Sequence, residues 1–241
     1  MRTRHREHIT RSEANPQVIG KPGAGLASSP SWAVNADVAE IGHGGEVRTA
    51  EILNRLAVPG GPTVLHDLVL PMSSIKANID HVVVSGRTVT CIDTKVWKPG
   101  VLWTMFGTTR RGWSRFEPAD KKTMDLAAMS VAALLRNSHI QAKVAMPVIV
   151  VWPSNKDRGI NIGWYRPIGA RAVLAETAER RASQLFGSDP ADPAIVEALT
   201  ELVTSVRADK EARRKAIQPD PRLPPRVPMP ADLMVRDDFP L

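Results

Sequence analysis

Two apolar, β-branched runs, 77–85 and 88–96, flank Gly86-Arg87 and restrict this part of the chain to a hairpin. Glycine as the first central residue suits a type II′ turn. With that turn Ser85 opposes Thr88 and, counting outward, Asp80 opposes Asp93. Lys95 lies two residues beyond Asp93 and shares its face. Facing carboxylates repel and weaken a sheet, so this placement predicts a cation between them. Magnesium, or manganese in its place, takes oxygen ligands and keeps several waters. Asp80 and Asp93 are the expected ligands, with the Thr94 carbonyl as a further one. Lys95 adds a point charge that can orient water or hold a phosphate. The pattern points to metal-dependent cutting of a phosphodiester.

A third acid is expected from Glu46, which follows Gly44-Gly45 at the start of a helix read over 44–57, where a carboxylate also suits the helix dipole. Pro59-Gly60-Gly61-Pro62 ends that helix. A strand follows over 63–70, then the hairpin, then a second, more exposed hairpin over 101–106 and 111–116 with its bend near Gly107. A helix is expected over 118–135, with Pro118 in its first turn. A doubly buried strand is expected over 143–152, and a short strand over 161–165. Two more helices are read over 170–186 and from the Asp192 cap and Pro193 to about 217. This order predicts an α/β or α+β layer fold, a mixed central sheet flanked by helices. The expected organisation is a basic arm over 1–37, a core over 38–155, a helical extension over 156–217 and a proline-rich tail over 218–241.

Gly45-Glu46, Leu65-His66-Asp67-Leu68, Asn78-Ile79-Asp80-His81-Val82-Val83-Val84 and Ile92-Asp93-Thr94-Lys95-Val96-Trp97 together resemble the nuclease-related domain, the NERD family, over residues 38–152. That family is similar to the PD-(D/E)XK nucleases. The resemblance implies a restriction-endonuclease-like core, a mixed four-stranded sheet with flanking helices. It implies Glu46, Asp80 and Asp93 as acidic ligands, Lys95 as the catalytic lysine, and a role in DNA processing. The family often carries a glutamine just past a proline on the helix after the core strands. Here Pro118-Ala119-Asp120-Lys121-Lys122 offers lysines instead.

The chain has 241 residues and a net charge of +7, which favours an anionic partner such as nucleic acid; the family resemblance implies that this partner is DNA. From Thr94 to Phe116 there is no acidic residue; Lys98, Arg110, Arg111 and Arg115 alternate with Trp97, Trp103, Phe106, Trp113 and Phe116. Basic groups follow phosphates and aromatics stack on exposed bases. Lys98, Arg110 and Arg111, with Lys121 and Lys122, are the expected nucleic-acid contacts. Arg2, Arg4, Arg6 and Arg11 add charge to the arm. The lone Cys91 excludes an internal disulfide and a cysteine-rich zinc site, and its apolar setting predicts a core residue. His81 should point away from Asp80 into the core, and His43 and His66 have no fixed role. No secretory signal and no membrane-spanning run is expected, so a cytoplasmic protein is the default. A binding module that keeps the fold without cutting is the competing reading, and a protein-interaction scaffold a third.

Overall fold

The computed structural model describes residues 15–23, 36–70, 78–120, 123–155 and 158–217. Residues 1–208 form one compact unit and 209–241 another. Among the described residues the first unit is a mixed sheet with helices on both faces, plus a smaller second sheet.

The central sheet is built on β2 (Thr63–Val69), β3 (Asn78–Ser85) and β4 (Thr88–Trp97), with β3 antiparallel to both β2 and β4. β1 (Val18–Ile19) adds in parallel beside β2. On the far side β9 (Val148–Pro153) lies parallel to β4, and β11 (Arg171–Leu174) lies parallel to β9. The short β8 (Lys143–Val144) also pairs with β4. Parallel neighbours need a crossover. Between β4 and β9 that crossover holds α2 (Thr123–Asn137) and most of the small sheet. The small sheet is ordered β10 (Ile160–Trp164), β5 (Gly100–Met105), β6 (Thr108–Arg111) and β7 (Ser114–Arg115).

Apolar residues alternate along the strands and feed two cores. Leu53 of α1 (Ala36–Asn54), Val64, Val83, Ile92, Val148 and Phe186 close one face. Val82, Cys91, Val151, Val131 and Leu135 of α2, and Ile195 and Leu199 of a later helix close the other. Cys91 is a buried free thiol, as expected, and burial pushes its pKa up to about 12. No described helix is long and apolar enough to cross a membrane.

Several elements depart from the sequence reading. The first helix begins at Ala36, so Gly44-Gly45 lie within it and Glu46 stands mid-helix rather than at a dipole end. Two residues of the expected arm, Val18 and Ile19, are the sheet's edge strand. Residues 117–119 form a separate 3₁₀ turn ahead of α2. Asp120 is tied back to the small sheet by the Thr109 N–H at 2.9 Å. The segment expected to be helical over 170–186 opens as β11, because its backbone completes the open edge of β9. Two short helices follow, α3 (Ala175–Arg180) and α4 (Ala182–Phe186). The expected single helix after Asp192 is two, α5 (Pro193–Thr200) and α6 (Thr204–Ile217). Its cap is as expected: the Asp192 carboxylate accepts the Ala194 N–H at 3.0 Å. The break serves β2, since the Val69 N–H donates to Leu202 O at 2.9 Å and Val203 bridges to Leu68. The arginines at 2, 4, 6 and 11 and the tail over 218–241 lie outside the described residues.

Candidate active site

β2, β3 and β4 bring three aspartates into one row. Ladder partners His66↔His81 and Leu68↔Ile79 set Asp67 opposite Asp80. Partners running from Ser85↔Thr88 to His81↔Ile92 set Asp80 and Asp93 next in line, around a turn whose Gly86 has φ 55. Neither ladder pairs this row itself. β4 pairs onward with β9, Asp93 with Ile149 and Lys95 with Val151. The Asp80 carboxylate instead accepts the Thr94 N–H at 2.7 Å. The register expected for the hairpin therefore runs to His81. At the aspartates it gives way to a side-chain bond, because the strands part where the charges meet.

Asp67 has φ 54, a left-handed conformation that aspartate tolerates better than most residues. The register is unchanged on either side of it, so the strand is kinked in place without an inserted residue. One carboxylate oxygen accepts from the Asn78 amide at 2.8 Å. The other is buried and has no hydrogen-bond partner among the described residues. The Thr204 hydroxyl donates to the Asp67 carbonyl at 3.0 Å, so the helix break described above holds the kink from outside. The sequence reading gave Asp67 no chemical role. An acid inside the apolar run 63–70 was the available signal.

Glu46 joins the aspartates through a close helix–strand approach. A Cβ on Gly45 would strike Val96 and lie 3.3 Å from Thr94 Cγ2. Glycine at that position lets α1 lie directly on β4, and the next residue along is Glu46. Burial first, and then the Asp80 charge, push the Glu46 carboxyl up to about 8; Lys95 opposes this, while Asp67 and Asp93 add to it. Burial, and then Asp93, push Asp80 up to about 7 against Lys95 and the Thr94 N–H. The four acids and one lysine thus act on one another as a single electrostatic cluster.

Lys95 answers that charge. Its ammonium lies 2.6 Å from Asp93 Oδ2 and 2.7 Å from Oδ1, and it also donates to the Thr94 carbonyl at 3.4 Å. Burial alone would lower its pKa; Asp93, Asp80 and Glu46 outweigh burial and hold it above the usual value. Its side chain is 34% exposed against 14% for Asp93, so Lys95 is the more exposed side chain of the pair.

Behind the row runs a buried polar chain. Asn54 Oδ1 is 2.9 Å from His66 Nε2, His66 Nδ1 is 2.9 Å from His81 Nδ1, and His81 Nε2 is 3.5 Å from the Thr94 hydroxyl. An amide oxygen only accepts, so His66 carries its proton on Nε2. His81 then donates from Nδ1, and the Thr94 hydroxyl donates to His81 Nε2. Burial lowers both imidazoles, His66 to about 4, and keeps them neutral. His81 is in the core as expected, and His66, which had no fixed role, joins it to the end of α1.

Glu46, Asp67, Asp80, Asp93 and the Thr94 carbonyl offer only oxygen, the chemistry that magnesium prefers. The partnerless Asp67 oxygen is a donor to spare. Among the described residues no three His, Cys, Asp or Glu side chains are close enough together to enclose an ion. In their present arrangement Lys95 contacts both β4 groups expected to face one. The chemistry of the set fits the ion.

The expected nucleic-acid contacts separate. Arg110 lies on the outer face of the small sheet with Trp103, its guanidinium carbon 5.7 Å from the ring centre. Arg111 packs over Phe116 at 4.8 Å, on the side where Phe116 meets the buried Trp97. Lys98 is exposed between β4 and β5. Lys121 and Lys122 lie outside the described residues. Residues 41–151 match the family model of the nuclease-related domain, NERD. Over this stretch the chain is similar to the nuclease-related domain. The match begins within α1 and ends in β9, so all four acids and Lys95 fall inside it. The mixed sheet flanked by helices is compatible with a nuclease-like α+β core, and the domain's name points to nucleic acid as its partner. A search of curated proteins and a search of solved structures each returned no match.

Proposed function

We propose that this chain hydrolyses phosphodiester bonds in DNA. Glu46, Asp80, Asp93 and the Thr94 carbonyl would hold a magnesium or manganese ion, with Asp67 as an additional acid. The reading rests on one observation: a helix glutamate, the strand aspartates and the lysine are packed so that burial first, and the neighbouring carboxylates second, raise the Glu46 and Asp80 carboxyls. A scaffold has no use for such repulsion. A bound dication would neutralise the phosphate, stabilise the leaving oxygen and acidify a coordinated water. Lys95 stays protonated and is the more exposed member of its pair, so it can turn from Asp93 to a phosphate oxygen. The Thr94 N–H aims the Asp80 carboxylate, and the histidine chain holds the Thr94 side chain from behind.

The test is incubation of the purified protein with single-stranded, linear and supercoiled DNA, with magnesium or manganese and with EDTA, beside Asp93→Ala and Lys95→Ala. Ion-dependent cleavage lost in both variants supports the reading. Salt-sensitive binding without cleavage by any form would make the chain a non-cutting nucleic-acid-binding module and overturn hydrolysis.

A further inference from the structure

The small sheet turns one face to solvent, and that face carries three of the chain's six tryptophans. Ladder pairing puts Trp103 of β5, Trp164 of β10, Arg110 of β6 and Arg115 of β7 on the same side. Trp113 joins them from the β6–β7 turn, its ring centre 6.5 Å from that of Trp103. Trp164 is 73% exposed and Trp113 89%. Contiguous exposed apolar surface of this kind marks an interaction site.

Two details show that the rings are held in place. The Trp103 indole donates to the Gly112 carbonyl at 2.7 Å, and the Arg110 guanidinium donates to the Trp113 carbonyl at 2.8 Å, so the loop presenting Trp113 is braced from both sides. The β5–β6 turn is Phe106-Gly107, with φ 49 and 74. Positive φ at both central residues is a setting for Asn-Gly or Gly-Gly. A phenylalanine there is strained by about 1 kcal/mol, and its ring is 96% exposed, with no packing in return.

The charge decides what such a face would take. No Asp or Glu occurs in 100–115 or in 160–164, while Arg110 and Arg115 lie among the rings. Guanidinium groups suit phosphate, and aromatic faces suit bases whose own faces are free. A duplex hides those faces inside its stack. β4 runs from Lys95 into β5 through only Lys98 and Pro99, so the face adjoins the acid cluster along the chain.

We infer that this face is a stacking platform for single-stranded nucleic acid, and that the substrate of the acid cluster is a single strand or a duplex with a single-stranded end. The substrate part rests on the nuclease reading; the platform does not. It also differs from the contacts expected from sequence: Trp164 is recruited from a strand fifty residues further on, while Arg111, Trp97 and Phe116 serve the inner side.

The test is fluorescence anisotropy with a labelled oligothymidine, a duplex of equal length and inorganic polyphosphate as competitor, all in EDTA so that nothing is cut. Trp113→Ala, Trp164→Ala and Phe106→Ala are exposed changes, and melting curves check that each variant folds. The oligothymidine should bind more tightly than the duplex, and each ring removed should weaken it about tenfold, the effect of one stacked base. Polyphosphate should compete poorly. Equal binding of strand and duplex, unchanged affinity in all three variants, full competition by polyphosphate, or tryptophan-dependent self-association without oligonucleotide binding would each overturn the platform. Cleavage assays of the unaltered chain with magnesium keep the two readings apart. Strand binding by a chain that never cleaves leaves the platform standing and removes the nuclease, whereas cleavage indifferent to the three aromatic changes does the reverse.

Discussion

Glu46→Gln should make the metal-free protein more stable at neutral pH, although it alters a residue of the proposed site. The parent carboxyl is displaced from 4.5 to about 8. Each tenfold change in proton affinity is worth about 1.4 kcal/mol, so at pH 7.5 the displacement destabilises the fold by at most about 4 kcal/mol. The glutamine amide is still partly desolvated, at about 1–3 kcal/mol. The net gain should therefore be about 1–3 kcal/mol, or about 2–12 °C in Tm for a chain of this size. The sign follows from proton binding. The folded state holds this proton more tightly than the unfolded state, so the group's contribution is fully present below pH 4.5 and is lost as pH rises through 8. The advantage of the variant over the parent should be absent at pH 4.5 and largest above pH 8. Thermal melts of both proteins in EDTA at pH 4.5, 6.5 and 8.5 measure that difference directly. A variant that melts at or below the parent temperature at pH 8.5 would show that neither burial nor Asp80 strains the Glu46 carboxylate, and the electrostatic cluster on which the function rests would fail.

Gly45→Ala should destabilise by about 1–3 kcal/mol in urea titrations, because the added methyl meets Val96; an ordinary helical glycine would gain about 1 kcal/mol from the same change, and that opposite sign would refute the close approach. Asp67→Ala should be less stable than Asp67→Gly by about 1 kcal/mol, since alanine must adopt φ 54; equal stability in chemical denaturation would show that the kink relaxes. The imidazoles of His66 and His81 should not titrate between pH 8 and 5 by NMR. Their contribution to stability is present above pH 6.5 and lost as pH falls towards 4, about 3 kcal/mol for His66 alone, so a midpoint near 6.5 for either ring would break the buried chain.

The hairpin was legible because every level of its sequence agrees: β-branched runs, a glycine turn, and acids at matching distances from it. The register follows from those residues alone as far as His81. The helix carrying Glu46 was placed too late, because glycine reads as a terminator in sequence, and only the packing of α1 on β4 makes Gly45 a contact residue. β11 was read as helix because Arg171-Ala172-Val173-Leu174 has no strong local preference, and the open edge of β9 decides its state. Asp67 was passed over as a site residue because a lone acid in a strand carries no periodic signal. Trp164 could not be joined to Trp103 and Trp113 without knowing that β10 pairs with β5.

The stretch that carries the family likeness leans on chain that lies beyond it. A fragment ending at residue 151 would lose β11, leaving β9 as an open, apolar strand edge, and would lose the 202–204 segment that fastens β2 beside Asp67. Such an edge recruits other chains. Recombinant work on this protein therefore has to retain the chain through residue 208, and insolubility of a shorter piece would reflect missing neighbours and say nothing about chemistry.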